Sequence, residues 1–184
     1  MWVAIVVAAV VVLLVLYLVY TYNRLVRLRN ETETGWANID VQLRRRYDLV
    51  PNLVEAVKGY ATHERETFEE VTEARAAAEQ APGPAATAEA NEHLGGALDR
   101  LIAVSEAYPQ LRASENFLAL QRELADIEDK LAAARRYYNQ TVYRYHTVKQ
   151  TFPAVLIAKP FGFRAREFFG TDERDAPVVS FAQQ

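Results

Sequence analysis

Histidine is the residue type in this chain best suited to hold a metal ion or to move a proton, and three are present, His63, His93 and His146. In carboxylate di-iron bundles a glutamate stands three residues before a ligating histidine, and none of these three has one there. His63 and Glu64 begin like the zinc-protease motif, but the second ligand would have to stand four residues after the first, where the chain has Thr67. At His63 the spacing favours a solvated helix face, and we expect no metal ion and no cofactor.

Other catalytic patterns are equally absent from the sequence. There is no cysteine, which excludes disulfides, thiolate metal sites and a cysteine nucleophile. No G-x-S-x-G, P-loop or dinucleotide-binding motif occurs. The five glutamates between positions 64 and 73 have the spacing of an exposed acidic helix face. We therefore expect that the protein is not an enzyme.

Two clusters place cations among aromatic rings, at residues 44–47 and 135–138. Such a mixture is one sign of nucleic-acid binding, but the formal net charge is −3 and the chain begins with an apolar segment. Residues 64–129 hold fifteen acidic and five basic side chains, whereas residues 131–166 hold seven basic and no acidic ones. This distribution favours anionic lipid headgroups near one end of the body. We expect membrane lipid and other membrane proteins as partners, and no nucleic acid; the oligomeric state stays open.

Residues 1–20 contain no charged side chain and are long enough, as a helix, to cross a hydrocarbon core of about 30 Å. Trp2 stands at one end and Tyr17 and Tyr20 at the other, as aromatic rings do at the two lipid–water interfaces. A cleaved signal peptide would begin with basic residues and end in a small-residue cleavage site, and neither is present. We predict a transmembrane anchor at residues 1–21.

The cations beside this segment predict its orientation. Arg24, Arg27 and Arg29 follow it, and no lysine or arginine precedes it. Because the cytoplasmic flanks of membrane spans are enriched in such residues, we expect a single-pass protein of the inner or plasma membrane. Its N-terminus would lie outside and its body in the cytoplasm.

The remaining chain to about residue 150 carries apolar residues three or four positions apart, the period of amphipathic helices. No alternating run bounded by turn signals occurs, so no strand is predicted. We predict helices at about residues 22–48, 51–79, 86–107 and 110–150. Short connections make successive helices antiparallel neighbours. The expected fold is therefore all-α, with the transmembrane helix followed by an antiparallel up-and-down four-helix bundle at residues 22–152.

Pro51 leaves an alternative to this fold open. Proline lacks an N–H and disfavours an α conformation at Val50, so the helix must end, kink or restart here, with Asp48 a candidate N-cap for a restart. The apolar stripe, on which Trp36 is the largest expected core residue, continues in the same phase beyond Pro51. If Pro51 and Pro109 only kink their helices, the body is a long two-helix hairpin.

Residues 153–169 form an apolar and aromatic tail with scattered cations, and residues 170–184 are expected to be disordered. In an up-and-down bundle the fourth helix returns toward the membrane, so this tail would meet the lipid surface. The competing interpretation, to which we give equal weight, is that its rings fold back over the membrane-proximal end of the bundle. The candidate contacts with lipid or a partner are Lys159, Phe161, Phe163, Arg164, Arg166 and Phe168 in the tail and Arg44, Arg45 and Arg46 in the arginine cluster.

Several stretches together resemble the LemA family of bacterial membrane-anchored helical proteins. They are Tyr22-Asn23-x-Leu25-Val26, residues 36–60 around DVQLRRRYDLVPNL, Ser114-Glu115-Asn116-Phe117 with Leu120-Gln121-x-Glu123-Leu124, Ala134-Arg135-Arg136-Tyr137-Tyr138-Asn139, Phe152-Pro153 and Phe168-Phe169. The resemblance covers about residues 20–170. It implies a four-helix architecture and a single-pass membrane protein of largely unassigned role, with one relative that takes part in building magnetosome membranes. It carries over no catalytic residue and no cofactor.

Two functions from different classes are compatible with these patterns. The first is a non-catalytic scaffold or adaptor that presents a helical bundle at the cytoplasmic face of the membrane. The alternative is a ligand-binding or enzymatic bundle with a site among inward polar residues. Candidates for that site are Asn116, Gln121, Tyr138 and Asn139. A well-formed interior pocket beside them would favour the alternative, and a filled core would favour the scaffold.

Overall fold

The computed structural model describes residues 1–170. Its helices are α1 (Trp2–Lys58), α2 (Arg65–Gln80), α3 (Gly83–Glu106), α4 (Pro109–Arg112), α5 (Glu115–Gln150) and α6 (Ala154–Ala158). No strand occurs within these residues. The predicted all-α class with a long apolar N-terminal helix is confirmed. Apart from Gly170, the segment predicted to be disordered lies outside the described residues.

α1 departs most from the sequence prediction, because it continues through Pro51 without a break. A proline inside a helix removes one backbone hydrogen bond, but Pro51 is exposed, so water can replace the missing donor. The predicted helix end at residue 48, and with it the restart capped by Asp48, is therefore wrong. The chain leaves the helix at Lys58, and the next helix begins at Arg65 rather than at residue 51.

Two compact units divide the chain. The first comprises Met1–Leu49 and Gln121–Arg166, and thus most of α1 and α5 together with α6. The second comprises Val50–Leu120 and the segment that begins at residue 167. The choice between a four-helix bundle and a two-helix hairpin stays a prediction, as do the domain boundaries given above.

In the first unit α1 and α5 run antiparallel. The pairs that fix their register are Glu31 with Arg144, Gly35 with Tyr138, and Arg46 with Glu128. Residues further along α1 thus contact residues progressively earlier in α5. A β-carbon placed on Gly35 would lie 3.3 Å from the Cα of Tyr138, so the two backbones are in contact at this point.

The hydroxyl groups buried near this crossing are satisfied within their own helices. The Thr32 hydroxyl donates to the Leu28 carbonyl at 2.9 Å, and the Thr141 hydroxyl donates to the Tyr138 carbonyl at 2.7 Å. Hydroxyls bonded in this way carry no unsatisfied donor into the interface. The helices can therefore approach closely without a cost in buried polar groups.

Trp36, predicted as a core residue, is only half-buried. Its ring packs on that of Tyr138 with a centroid separation of 5.8 Å. The fully buried positions of the same stripe are Ile39 and Leu43, one and two turns further along α1. Trp36 covers the edge of the interface, and its truncation should cost less than the truncation of a fully buried aromatic residue.

The second unit has its own core, in which α2 packs against α3. Its buried apolar residues are Val50, Leu53, Val54, Val57, Ala61, Phe68, Val71, Ala78, Leu94, Ala97, Leu98, Leu101, Leu111, Phe117 and Phe169. Outside this core Arg100 and Glu70 form a bidentate ion pair. Nε of Arg100 donates to Oε2 of Glu70 at 2.9 Å, and Nη2 contacts Oε1. The predicted breaks between these helices are confirmed, because α3 begins at Gly83 and ends two residues before Tyr108.

The backbone contact at Gly35 predicts opposite effects of alanine at two helical glycines. At Gly96 in α3 a β-carbon would meet only the end of the Arg100 side chain, at 3.9 Å. Replacing a helical glycine by alanine gains about 0.5–1 kcal/mol where nothing obstructs the methyl group. Gly96→Ala should therefore raise the Tm of the detergent-solubilised full chain, measured by circular dichroism. Gly35→Ala should lower it, because the methyl group must push α5 away. Equal stabilisation by both substitutions would contradict the backbone contact.

Candidate membrane-surface site

The boundary between the apolar segment and the packed body lies at the end of residue 20. Every residue from 1 to 20 is exposed, whereas Thr21 and Leu25 are buried. This part of α1 is long and apolar enough to cross a membrane. Leaving so much apolar surface in water would cost about 25 cal/mol per Å². A lipid environment for residues 1–20 removes that cost and places the lipid–water boundary near Tyr20.

The antiparallel register brings the end of α5 to the same boundary. Arg144 lies beside Glu31, with 3.2 Å between guanidinium nitrogen and carboxylate oxygen. Six further residues along α5 reach Gln150, its last residue, and the corresponding six residues back along α1 reach Leu25. The segment that follows α5 thus begins within two turns of Tyr20.

Tyr22 shows where the tail lies, because it contacts two tail rings edge-on. The ring centroids are 5.3 Å apart for Phe161 and 5.7 Å for Phe163. The two phenylalanines differ sharply in exposure, with 64% of Phe161 but only 5% of Phe163 accessible. The ring of Phe163 packs against the body, and the ring of Phe161 is exposed.

Phe163 belongs to the protein core rather than to a lipid contact. It packs in a cluster with Leu25, Leu28, Tyr145 and Ala158. The Arg29 guanidinium lies 5.9 Å from its ring centroid, within the range of a cation–π contact. The prediction that Phe163 meets lipid or a partner is therefore wrong. The aromatic pattern did not distinguish it from Phe161, because only the fold decides which ring turns inward.

Three large apolar side chains at this end stay exposed, and we call them the apolar rim: Phe152, Leu156 and Phe161, which are 76%, 65% and 64% accessible. Leu156 lies in α6, whose Ala154, Ile157 and Ala158 are buried, and Phe152 and Phe161 lie on either side of this helix in the chain. Lys159, which follows directly, is exposed as well. The rim thus combines apolar area with a cation next to the predicted lipid boundary, the composition expected of an interfacial contact.

Beyond Phe163 the tail has no regular secondary structure and runs along α1 away from the apolar segment. Its Arg166 guanidinium pairs with the Glu33 carboxylate at 2.6 Å. Along α1 the step from Tyr22, which contacts Phe161 and Phe163, to Glu33 is roughly 16 Å. Arg166 therefore lies roughly 20 Å from Tyr20 along the helix axis. Its guanidinium meets a carboxylate there, and a contact of Arg166 with lipid headgroups stays a prediction.

Two hydrogen bonds fasten this segment to α5. The Tyr145 hydroxyl donates to the Arg164 carbonyl at 2.7 Å, and the Arg166 backbone N–H donates to Nε2 of His146 at 3.0 Å. Burial raises the pKa of Tyr145, so its hydroxyl keeps the proton that it donates. Burial and the nearby Lys149 lower the pKa of His146, which favours the neutral ring that can accept a hydrogen bond. The Arg164 side chain itself is exposed.

Phe168 belongs to the second unit, which includes residues 167–170 of the described chain. There the Glu167 carboxylate lies 3.3 Å from the position that a β-carbon on Gly83 would take. Phe168 is exposed, and its contact with lipid or a partner stays a prediction.

The arginine cluster of α1 also divides. Arg44 and Arg45 are exposed, and Arg44 pairs with Asp40 one turn away at 2.9 Å. Arg46 is buried, and its guanidinium lies 2.8 Å from the Glu128 carboxylate of α5. The prediction that Arg46 is a surface contact is wrong, because a residue two positions after Arg44 lies on another side of the helix. Arg44 and Arg45 stay candidates for a partner contact.

The inward polar residues proposed for an interior site differ in burial. Asn116 is exposed, Gln121 and Asn139 are partly exposed, and only Tyr138 is buried. Both open grooves near the apolar segment are lined by other residues. His63 and His93 are exposed. Within residues 1–170 no cluster of histidines and carboxylates could hold a metal ion.

Known proteins match this chain over most of its length. A family model described as the LemA family matches residues 35–181. Magnetosome protein MamQ of Magnetospirillum gryphiswaldense is 24% identical over 190 residues, which cover 89% of this chain and 70% of the relative. Magnetosome protein MamQ 2 of Paramagnetospirillum magneticum is 26% identical over 197 residues, or 92% of this chain and 72% of the relative. Protein LemA of Metamycoplasma hominis is 26% identical over 151 residues, which cover 79% of this chain and 68% of the relative.

The hydrogen bond to His146 predicts that attachment of the tail weakens in acid. The pKa of His146 is lower in the folded chain than the ordinary value of 6.5. The unfolded chain therefore takes up the proton first, and the contribution of His146 to stability is complete above about pH 6.5 and is lost as the pH falls below it. In His146→Gln the amide oxygen can still accept the bond but does not titrate. The Tm of the full chain should fall relative to that of the variant between about pH 7 and pH 5.

The exposed histidines, His63 and His93, are common to both chains and cancel in this comparison. The charged residues that act on His146 are Lys149 and Arg166, and both are present in the two chains as well. A Tm difference that stays constant over the range would contradict a neutral, hydrogen-bonded His146.

Proposed function

The chain belongs to the LemA family, and on this premise we propose that it is a membrane-tethered, non-catalytic scaffold that presents its helical body at the cytoplasmic face of the cell membrane. The observation that carries the proposal is the continuity of α1. The helix that forms the apolar segment enters the packed body without a loop. From residue 21 to residue 49 it extends for roughly 43 Å. A helix shared by anchor and body holds the body at a fixed angle to the membrane, as a scaffold requires.

The apolar rim supplies a second attachment. A single transmembrane helix can rotate about its own axis in lipid, so it does not fix which side of the body faces a given direction. Phe152, Leu156 and Phe161 lie to one side of α1 near Tyr20, and their burial in lipid would limit that rotation. Burying a large apolar side chain contributes about 1.5–3 kcal/mol, and Lys159 adds attraction to anionic headgroups. We propose that the rim lies in the interfacial layer of the membrane.

The relatives and the local chemistry support a role without catalysis. Two of the relatives carry names that assign them to the magnetosome, which is compatible with a membrane-associated function for this chain. Within residues 1–170, the polar groups nearest the tail are engaged in holding it in place, as Tyr145 and His146 are. No nucleophile with an adjacent base occurs among the contacts of this region.

Orientation can be tested with single cysteines, since the chain has none of its own. Trp2→Cys should react with a membrane-impermeant thiol reagent in intact cells, because the N-terminus would lie outside. Pro82→Cys, in the exposed turn before α3, should react only after the cells are permeabilised. Labelling of Pro82→Cys in intact cells, with protection of Trp2→Cys, would reverse the proposed orientation.

Phe161 and Phe163 form a matched pair for testing the lipid contact. Phe163→Ala should lower the Tm of the full chain by several degrees, because truncating a buried phenylalanine costs about 3–5 kcal/mol. Phe161→Ala should leave the Tm nearly unchanged, because its ring is mostly exposed. If residue 161 contacts lipid, lipids brominated near the headgroup should quench the fluorescence of a Phe161→Trp variant. In this variant both native tryptophans are replaced by phenylalanine, so that residue 161 is its one tryptophan.

Ala165→Trp serves as the control, because Ala165 is exposed but lies further along the tail. It should be quenched much less. Equal quenching at the two positions, or a large loss of Tm in Phe161→Ala, would contradict the proposed place of the rim.

A further inference from the structure

An open groove of about 540 Å³ lies between α1 and α5 just below the apolar segment. Tyr20, the last residue of that segment, lines one end of the groove, and Glu31 and Arg144 line the other. Leu28 and Val148 contribute apolar wall between these ends. The groove thus begins at the predicted lipid boundary and extends along the body.

This groove and the tail occupy different sides of α1. A helix turns by about 100° per residue, so Arg24 and Arg27 lie on the side of Tyr20, whereas Tyr22 and Arg29 lie on the opposite side. Tyr22 and Arg29 contact the tail. Arg24 and Arg27 line the groove. The groove is therefore separate from the apolar rim.

Its charge is positive. Arg24, Arg27 and Arg144 line it together with a single carboxylate, that of Glu31. Arg144 is paired with Glu31 at 3.2 Å. Arg24 and Arg27 form no ion pair among residues 1–170. Two cations are thus left to meet an anion from outside the chain.

The depth of these cations matches that of lipid phosphates. Along α1, Arg24 lies roughly 6 Å and Arg27 roughly 10 Å beyond Tyr20. The headgroup layer on each side of a bilayer is about 5–8 Å thick, and long arginine side chains can reach upward into it. Glu31 lies roughly 16 Å beyond Tyr20, below that layer. A headgroup bound here would place its phosphate at the arginines and its outer part near Glu31.

We propose that this groove binds the headgroup of an anionic phospholipid that carries hydroxyl groups, such as phosphatidylglycerol. Arg24 and Arg27 bind the phosphate, and the acyl chains lie along the exposed side of the apolar segment above Tyr20. The Glu31–Arg144 pair receives the glycerol hydroxyls. This proposal rests on the proposed membrane anchor and deepens it by naming the lipid class.

The Glu31–Arg144 pair is the reason for preferring a hydroxylated headgroup. An ion pair offers an acceptor and a donor side by side, which suits neutral hydroxyl groups. Because the pair is net neutral, it offers no uncompensated charge to attract the ammonium or the carboxylate of another headgroup. Asn23 and Thr147, which also line the groove, add uncharged hydrogen-bonding groups.

Lipid selectivity of the reconstituted full chain tests the proposal. The chain is placed in phosphatidylcholine vesicles that contain a trace of spin-labelled phosphatidylglycerol, phosphatidylserine or phosphatidylcholine. The motionally restricted fraction gives the relative association of each lipid. Phosphatidylglycerol should associate more strongly than either of the others. The double variant Arg24→Gln, Arg27→Gln should reduce the preference over net-neutral phosphatidylcholine by at least roughly fivefold, the value of one cation at a membrane surface.

The matched control is Arg44→Gln, Arg45→Gln, which removes the same charge from exposed positions on α1 far from the groove. It should leave the preference unchanged. Equal losses in the two double variants would overturn the groove as the binding site, and equal association of phosphatidylserine and phosphatidylglycerol would overturn the role of the Glu31–Arg144 pair.

A soluble source of the same chemistry must also be distinguished. Excess glycerol phosphate added to the vesicles should not displace the labelled lipid, and displacement would show that the groove binds a soluble phosphate ester. If the chain fails to enter vesicles at all, the membrane anchor fails and this proposal falls with it. A chain that inserts but shows no preference overturns the groove alone.

Discussion

The backbone contact between Gly35 and Tyr138 is the constraint on which the first unit depends. Without a side chain at residue 35, α1 and α5 come within van der Waals distance, 3.3 Å between the Tyr138 Cα and the place of the absent β-carbon. Close contact at one point sets the register of two antiparallel helices along their whole length. Glu31 meets Arg144 on one side of this contact, and Arg46 meets Glu128 on the other. These partners follow from the position of one glycine.

That register also decides what happens at the lipid boundary. Because α5 ends level with the first turns of α1 after Tyr20, the chain must turn back there, and α6 packs its small buried residues onto the helix pair. The turn leaves Phe152, Leu156 and Phe161 on the outside, while the returning segment carries Phe163 inward. Its two hydrogen bonds to Tyr145 and His146 then hold the chain against α5. The same turn of the chain therefore leaves Phe161 exposed and buries Phe163.

Periodicity predicted the class of the fold, the apolar segment and the breaks near residues 82 and 108, because each depends on local sequence. It failed where a tertiary contact decided the outcome. Pro51 carries a strong breaking signal, but its side is exposed to water and the buried stripe on both sides of it favours a continuous helix. Arg46 looked like part of an exposed basic cluster until Glu128, more than eighty residues later, supplied its partner.

The candidate site was predictable in composition but not in arrangement. The tail was recognisable from its aromatic rings and cations, and Tyr22 was visible only as one more ring at the end of the apolar segment. Nothing local indicates that Tyr22 contacts both Phe161 and Phe163, or that Arg166 pairs with Glu33. Those contacts depend on the irregular path that the chain takes from Phe161 to Arg166. Sequence patterns with a period of two or four residues do not encode such a path.

The three arginines that follow the apolar segment show how geometry separates residues that a charge count treats alike. All three contribute equally to the charge asymmetry that orients a membrane span during insertion. In the folded chain, Arg29 lies over the buried Phe163, where a cation–π contact of about 0.5–1 kcal/mol supports the tail. Arg24 and Arg27 lie on the other side of the helix, in a groove whose one carboxylate is already paired. On one side of α1, Arg29 thus stabilises a contact within the protein. On the other side, Arg24 and Arg27 line the groove that we propose binds a lipid phosphate.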